Sequence, residues 1–241
     1  MTWHLEPMAA FDLETTGVDP ETARIVTATI VRILPEVQTM ELLVNPGVPI
    51  PAEATAIHGI STEKAEADGI DPATAAARIL AELDEAWTGG RPVIIYNAPY
   101  DLTVLDRELR RHCGVNLDGV IGPVIDPFCI DKHLDPYRRG SRVLAATCGH
   151  YGVALTDAHT STGDALAAAR LAWRLVQLYP DELGDLSKVN ARQAAWRAEW
   201  ATNFADYLRR QGRPEDIDGS WPLRPWRTDQ AGPDTEGTTA A

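Results

Sequence analysis

Met8-Ala9-Ala10-Phe11-Asp12-Leu13-Glu14-Thr15-Thr16-Gly17 is a short apolar run that ends in two acidic residues and a glycine turn. The apolar part predicts a buried β-strand, and the closing Thr-Thr-Gly predicts a turn. On a strand, side chains two positions apart point to the same face, roughly 6–7 Å from one another. Asp12 and Glu14 should therefore present both carboxylates at the end of this strand, while Leu13 turns into the core.

The chain around this strand predicts an α/β fold. Residues 25–34 are rich in β-branched side chains, residues 40–44 form another short apolar run, and the short links favour an antiparallel meander. A proline-rich loop is expected over residues 48–60. Further strands are expected at 92–96 and 120–125, and helices at 72–87, 102–112, 142–151 and 163–178. This order predicts a mixed five-stranded sheet with helices on both faces.

The C-terminal part differs in character. Residues 186–211 predict a long helix with one apolar side, formed by Val189, Trp196, Trp200, Phe204 and Leu208. Residues 214–241 are rich in Gly, Pro, Asp and Thr. We expect a main domain over residues 1–180, a helix over 181–213 packed on or near it, and an irregular, flexible tail over 214–241.

Two more acidic residues occur in contexts that could join Asp12 and Glu14. Asp101 ends the stretch Tyr96-Asn97-Ala98-Pro99-Tyr100-Asp101 and starts the helix after the fourth strand, and Asp164 lies in the first turn of a later helix. Four converging acids repel one another and raise at least one pKa. Two Mg²⁺ or Mn²⁺ ions, which prefer oxygen ligands, would remove the conflict.

A pair of such ions predicts phosphodiester hydrolysis, because two metals stabilise both the attacking and the leaving oxygen. His159 lies just before Asp164 and is suited to accept a proton from water near pH 7. Taken singly, each acid is equally typical of solvated surface or a helix start, so the combination carries the prediction. The nearby Asp126, Asp131 and Asp135 are interpreted as helix caps and surface.

These motifs resemble the DEDDh exonucleases, the ribonuclease H-like 3′→5′ exonuclease family that includes the proofreading epsilon subunit of bacterial DNA polymerase III. Residues 11–17 look like the first motif of the family. Residues 97–101 look like the second, with Tyr100 where phenylalanine is commoner, and His159 to Asp164 looks like the third. Residues 57–60, Ile-His-Gly-Ile, also match a family segment. The resemblance spans about residues 8–178.

The resemblance implies a role for each of these residues. Asp12, Glu14 and Asp164 would bind one metal, Asp12 would bridge to a second near Asp101, and His159 would be the general base. Substrate contacts with the 3′-terminal nucleotide would come from Thr15, Thr16, Gly17, His58 and Asn97. For His58 a purely structural role, and for Asn97 a role in shaping the turn, stay open.

The resemblance also implies the reaction and its partners. The expected activity is removal of nucleoside 5′-monophosphates from nucleic-acid 3′ ends, with DNA preferred. An RNA-trimming exonuclease of the same family, or a subunit that binds 3′ ends within a DNA polymerase or repair complex, is the alternative.

Bulk properties limit the setting of this protein. The net charge of -13 over 241 residues argues against indiscriminate coating of DNA. Two basic clusters, at residues 107–111 and 132–142, are equally compatible with a phosphate track and a solvated helix face. No apolar run is long enough for a membrane span, residues 1–7 do not resemble a secretory signal, and three scattered cysteines suit a reducing compartment. A cytoplasmic location without membrane contact is expected.

Overall fold

The computed structural model describes residues 3–33, 36–155, 161–214 and 217–227. Its sheet has five strands in the order β3-β2-β1-β4-β5. The strands are β1 (Met8–Thr15), β2 (Ile25–Ile33), β3 (Gln38–Leu43), β4 (Val93–Ile94) and β5 (Val124–Ile125). Strands β1 to β3 form the antiparallel meander, and β4 and β5 run parallel to β1. The predicted mixed five-stranded sheet is confirmed.

Helices cover both faces of the sheet, as predicted. They are α1 (Ala52–His58), α2 (Thr62–Asp68), α3 (Pro72–Thr88), α4 (Ala98–Cys113), α5 (Pro127–Leu134), α6 (Leu144–Tyr151), α7 (Ser161–Leu178), α8 (Pro180–Leu183) and α9 (Leu186–Arg210). Phe11 and Leu13 belong to the core shared with α3 and α4, and Met8 and Ala10 to the core shared with α7. This alternation follows from the two-residue period of a strand and leaves Asp12 on the α7 side.

Several boundaries differ from prediction. Strands β4 and β5 are shorter than expected. After β4 the chain turns at Asn97, whose φ is 65°. Helix α4 begins at Ala98 rather than 102, since a proline is well tolerated in the first turn of a helix. The expected loop over residues 48–60 is wrong in part: α1 starts after Pro51 and ends at His58, and it is followed by Gly59, whose φ of 77° suits only glycine well.

Two helices start on the same Asp-Pro pattern, and only one of them was predicted. The Asp71 carboxylate accepts a hydrogen bond from the Thr74 amide at 2.9 Å and caps α3, as expected. Asp126 caps α5 in the same way by accepting from the Phe128 and Cys129 amides at 3.0 and 3.2 Å. The interpretation of Asp126 and Asp131 as surface is wrong, because both are 0 % exposed.

Part of the expected flexible tail packs on the main domain. Residues 217–227 have no regular secondary structure, but Trp221 and Leu223 contact the core. The Arg224 amide donates to the Thr103 hydroxyl at 3.1 Å, and Arg107 donates to the Arg224 and Pro225 carbonyls. This segment is therefore anchored to α4. Residues 228–241 lie outside the described residues.

Helix α9 packs through a face that only partly matches the predicted one. Val189, Trp196 and Leu208 are buried as expected, whereas Gln193 and Arg197 join them in place of Trp200 and Phe204. No helix in the described ranges has the length and apolar character needed to cross a membrane. The three cysteines are free thiols.

Candidate active site

The first two predicted site residues lie at the end of the central strand. Asp12 and Glu14 are both half-buried on β1, on either side of the buried Leu13. Asp12 is paired across the sheet with Thr29 of β2. The two acids share one face, as the strand period requires.

Asp101 lies against the same stretch of β1. It occupies the first turn of α4, is 5 % exposed, and accepts a hydrogen bond from the Leu13 amide at 3.1 Å. This bond fixes the Asp101 carboxylate beside the backbone that joins Asp12 to Glu14. Burial raises the pKa of Asp101 well above its usual value, and the Leu13 amide opposes part of that rise.

The turn that carries Asp101 is held by a residue that the sequence interpretation missed. The fully buried Asp126 carboxylate accepts from the amides of Asn97 and Ala98 at 2.9 and 3.1 Å. Asp126 is itself held by Gln193, which accepts from the Asp126 amide at 2.7 Å. The Asp-Pro pattern shared with residues 71–72 was the available signal. Asn97 takes the left-handed conformation here and shapes the turn.

Asp164 approaches the cluster from α7. Ser161, at the start of α7, accepts a hydrogen bond at 2.7 Å from Thr29, the cross-strand partner of Asp12. Because α7 begins at this contact, Asp164 lies within one turn of it. Its negative charge raises the pKa values of Asp12 and Glu14. His159 lies outside the described residues.

Asp12, Glu14 and Asp101 carry negative charge that no described lysine or arginine compensates by an ion pair. Burial raises the pKa of Asp12 well above its usual value, and repulsion from Asp101, Glu14 and Asp164 adds to the rise. Burial, with the charge of Asp164, raises the pKa of Glu14 to about 7. Within the described part of the chain, no lysine or arginine forms an ion pair with Asp12, Glu14 or Asp101.

Carboxylate oxygens without a protein cation are the donors that Mg²⁺ and Mn²⁺ prefer, so the chemistry of the cluster fits a divalent metal site. The geometry is not preassembled: among residues 3–33, 36–155, 161–214 and 217–227, no three His, Cys, Asp or Glu side chains are grouped closely enough to hold an ion as they stand. The carboxylates are therefore close enough to repel one another, but too far apart to bind an ion without moving.

A cavity of about 430 Å³ opens beside Glu14. Its lining combines the turn after β1 with α1 and α4: Glu14, Thr15, Thr16, Gly17, Ile57, His58 and Tyr100. Cavities of this size accommodate small organic ligands. Four of the five predicted substrate contacts, all except Asn97, therefore line one cavity.

His58 and Tyr100 give this cavity its fixed polar groups. Nδ1 of His58 accepts from the Ile60 amide at 3.1 Å, which assigns the proton of the neutral ring to Nε2. Burial lowers the pKa of His58, and the nearby Thr15 carbonyl opposes part of this shift. The buried Nε2 atom does not form a full hydrogen bond to any described residue. The Tyr100 hydroxyl contacts the Thr15 hydroxyl and donates to the Gly17 carbonyl. Tyr100 thus holds the turn, a role that sequence reasoning missed.

The first basic cluster does not form a phosphate track. Arg107 is 2 % exposed and pairs with Glu21 and Asp106 at 2.7 and 2.6 Å. Arg110 pairs with Asp106 and Asp118. In the second cluster, Arg138 and Arg142 pair with the buried Asp131, and His133 lies 3.0 Å from Glu182. Most of these cations stabilise the fold.

Comparisons with known proteins agree with this arrangement. The model of the Exonuclease family matches residues 9–172. Over 178 residues the chain is 33% identical to a DNA polymerase III subunit epsilon-like protein of Rhodobacter capsulatus, covering 69% of this chain and 23% of that relative. A PolC-type DNA polymerase III of Oceanobacillus iheyensis is 27% identical over 174 residues, covering 71% of this chain and 12% of the relative. The chain thus spans about a quarter or less of these relatives' length.

Solved structures show the same fold. The complex of E. coli exonuclease I with a dA16 oligonucleotide matches with a TM-score of 0.63 at 19% identity, over 73% of this chain and 42% of that one. Exonuclease I of Methylocaldum szegediense matches with a TM-score of 0.61 at 20% identity, over 83% and 45% of the two chains. The expected ribonuclease H-like architecture is confirmed.

Proposed function

Because this chain belongs to the exonuclease family, we propose that it hydrolyses the last phosphodiester bond at nucleic-acid 3′ ends, releases nucleoside 5′-monophosphates and prefers DNA. The observation that carries the proposal is the acidic cluster at the end of β1: Asp12, Glu14 and Asp101 form no ion pair with a lysine or arginine among the described residues, and the charge of Asp164 acts on Asp12 and Glu14. A structural ion network would contain its own arginines or lysines.

Each residue of the cluster has a role in the proposed reaction. Asp12, Glu14, Asp101 and Asp164 would hold two Mg²⁺ or Mn²⁺ ions. Such ions stabilise the charge on the attacking and leaving oxygens of the phosphodiester. The Leu13 amide keeps Asp101 oriented toward β1. His159 would accept the proton of the attacking water.

The cavity beside Glu14 would receive the 3′-terminal nucleoside. His58 offers a flat ring whose buried Nε2 atom forms no full hydrogen bond to a described residue. Tyr100 holds the turn of residues 15–17 in shape, so the hydroxyl and amide groups of that turn are fixed before substrate arrives. Preorganisation of this kind lowers the entropic cost of positioning the bond to be cut.

The first experiment follows 5′-labelled single strands of DNA and of RNA with Mn²⁺ present. We expect progressive shortening from the 3′ end, faster on DNA, and no cleavage in EDTA. The matched control is Asp12→Asn, which preserves the shape of the side chain and removes its charge. A strand that stays intact for hours with the wild-type protein overturns the proposal, and faster cleavage of RNA favours the RNA-trimming alternative.

A test of the proton acceptor uses His159→Ala. Loss of a positioned general base lowers the rate by roughly 10²–10⁴-fold. The affinity for Mn²⁺, measured by calorimetry, should change little. A large loss of Mn²⁺ affinity would instead identify His159 as a metal ligand.

An association with a DNA polymerase is a second proposal, and the names of the relatives favour it. Two of them are a DNA polymerase III subunit epsilon-like protein and a PolC-type DNA polymerase III. The test is co-purification of the full chain with polymerase subunits from its own source at physiological salt. Recovery of the chain alone, with its nuclease activity intact, would contradict this association.

A further inference from the structure

Helices α5 and α9 enclose a groove that the proposed reaction does not use. It has a volume of about 320 Å³. Its lining combines five aromatic side chains with Lys132, His133, Glu199, Pro136 and Asn203; the aromatic residues are Tyr137, Trp196, Trp200, Phe204 and Tyr207. We call it the α5–α9 groove.

The aromatic side chains of α9 form a continuous stacked row. The ring centroids of Trp200 and Phe204 are 5.5 Å apart with planes inclined by 16°, and those of Phe204 and Tyr207 are 6.2 Å apart with planes inclined by 13°. Tyr207 is 53% exposed, and Tyr137 across the groove is 93% exposed. Single exposed apolar side chains are normal on a protein surface, whereas a contiguous exposed apolar patch marks a binding surface.

Cations accompany these rings. The Lys132 Nζ atom lies 3.3 Å from the centroid of Trp200, and Arg197 lies 4.6 Å from the same ring. Lys132 forms no ion pair with a carboxylate in the described part of the chain. Burial, with the charges of Arg197 and Arg142, lowers the pKa of Lys132 to about 7. An anionic ligand would relieve the repulsion between Lys132 and the two arginines. The groove thus gathers positive charge in a chain whose net charge is -13.

The groove is connected to the acidic cluster by one short helix. The N-terminal residue that caps α5, Asp126, also holds the turn before Asp101. Helix α5 has 8 residues and is therefore about 12 Å long. Lys132 lies in the C-terminal half of α5, away from Asp126. A polymer that passes the acidic cluster and follows α5 therefore reaches the groove.

We propose that the α5–α9 groove binds bases of a single-stranded nucleic acid several nucleotides away from the 3′ end. This inference rests on the proposed exonuclease function and extends its substrate from a terminal nucleotide to a strand. Tyr207 and Tyr137 provide exposed faces on which bases stack regardless of sequence. Lys132 provides positive charge for the backbone, because a neighbouring phosphate favours its protonated form. A protein partner would explain the aromatic row, but not a lysine beside it that has no carboxylate partner among the described residues.

The test compares kcat/KM on a DNA strand of about 20 nucleotides, longer than one such binding site, with kcat/KM on a dinucleotide that cannot reach the groove. The ratio of the two measures the contribution of the groove. Tyr207→Ala should reduce this ratio by about 5- to 100-fold, the range expected for losing one stacked base. Lys132→Met keeps the apolar stem and should reduce the dependence of KM on salt.

Matched controls are Tyr179→Ala and Lys188→Met, which remove an exposed tyrosine and an exposed lysine outside the groove. Both should keep the wild-type ratio. An unchanged ratio in Tyr207→Ala, together with an unchanged salt dependence of KM in Lys132→Met, overturns the inference while leaving the exonuclease proposal intact. If no substrate is cleaved at all, binding of a labelled strand in EDTA decides: weaker binding by Tyr207→Ala supports the groove, and equal binding overturns it.

Discussion

Helix α4 carries two buried acidic residues, Asp101 and Asp106, whose surroundings are opposite. Asp106 is 0 % exposed and accepts from Arg107 and Arg110 at 2.6 and 2.7 Å. Its other oxygen accepts from the Leu117 amide at 2.9 Å. Asp101 is 5 % exposed and has the Leu13 amide at 3.1 Å, with no arginine or lysine paired to it in the described ranges.

Structural and functional carboxylates therefore differ in whether a buried cation accompanies them. When a buried carboxylate has a guanidinium partner, removing either group destabilises the fold, because it leaves the other charge buried and uncompensated. A group of buried carboxylates without such partners destabilises the fold unless something binds there, and perturbed groups of this kind cluster at functional sites. Asp12 and Glu14 belong with Asp101 on this criterion, whereas Glu108 and Asp131, which pair with arginines, belong with Asp106.

The largest expected effect separates Asp101 from Asp106 by activity. Asp101→Asn keeps an oxygen for the Leu13 amide and removes the charge that would hold a metal. Since metal stabilisation of the transition state is worth several kcal/mol, we expect kcat to fall by about 10³-fold or more without loss of thermal stability. Asp106→Asn, measured below its unfolding temperature, should keep kcat within a few-fold. Comparable activity losses in both variants would remove the distinction.

The next largest effect separates the same residues by stability. Asp106→Asn leaves Arg107, which is 2 % exposed, with one carboxylate partner fewer in a buried site. Breaking a buried ion pair costs about 3–5 kcal/mol, and Arg107 retains Glu21, so we expect the low end. Thermal denaturation should show Tm lower by about 6–12 °C. Asp118→Asn is the control, because Asp118 is 69% exposed and also pairs with Arg110.

The sequence predicted the sheet, and it singled out acidic residues that the fold brings near one another, because both depend on local signals. The strand period fixed which face Asp12 and Glu14 share, and the Asp71-Pro72 cap fixed the start of α3. Motif order then associated Asp101 and Asp164 with them. All of these are decided within a few residues of chain or by spacing along it.

What the sequence did not predict depends on contacts between distant segments. Asp126 looks like an ordinary helix cap until the fold brings it to the amides of Asn97 and Ala98. The basic cluster at residues 107–111 cannot be told from a phosphate track until Glu21 and Asp106 are seen beside Arg107. Segment 217–227 looks like a tail by composition, although its carbonyl groups are bound by the same arginine.

Metal binding should distinguish Asp101 from Asp106 by a moderate change in thermal stability. An ion that binds only the folded state stabilises it by about 2.7 kcal/mol at a concentration 100 times its Kd. Adding Mn²⁺ to metal-free protein should therefore raise Tm by about 5–11 °C. Asp101→Asn should show little of this rise, and Asp106→Asn should show all of it. An equal rise in both variants would mean that Mn²⁺ binds elsewhere.

The smallest expected effect is the pH dependence of the metal-free protein. The pKa of Glu14 is raised from an ordinary value of 4.5 to about 7 by burial and the charge of Asp164. Because the folded-state pKa is the higher one, the stability linked to Glu14 is complete below the unfolded value and is lost as pH rises through the folded value. Glu14 is only half-buried, so solvent screening reduces the effect to the order of 1 kcal/mol, or about 2–4 °C in Tm.

Glu14→Gln isolates this contribution. In EDTA, the Tm of the wild type should fall more than that of Glu14→Gln between about pH 5 and pH 8, since the glutamine cannot ionise. Saturating Mn²⁺ should reverse the difference, because a bound cation favours the ionised carboxylate that burial disfavours. Parallel Tm curves for the two proteins without metal would show that Glu14 does not share the uncompensated charge of Asp12 and Asp101, and the acidic cluster would then be smaller than proposed.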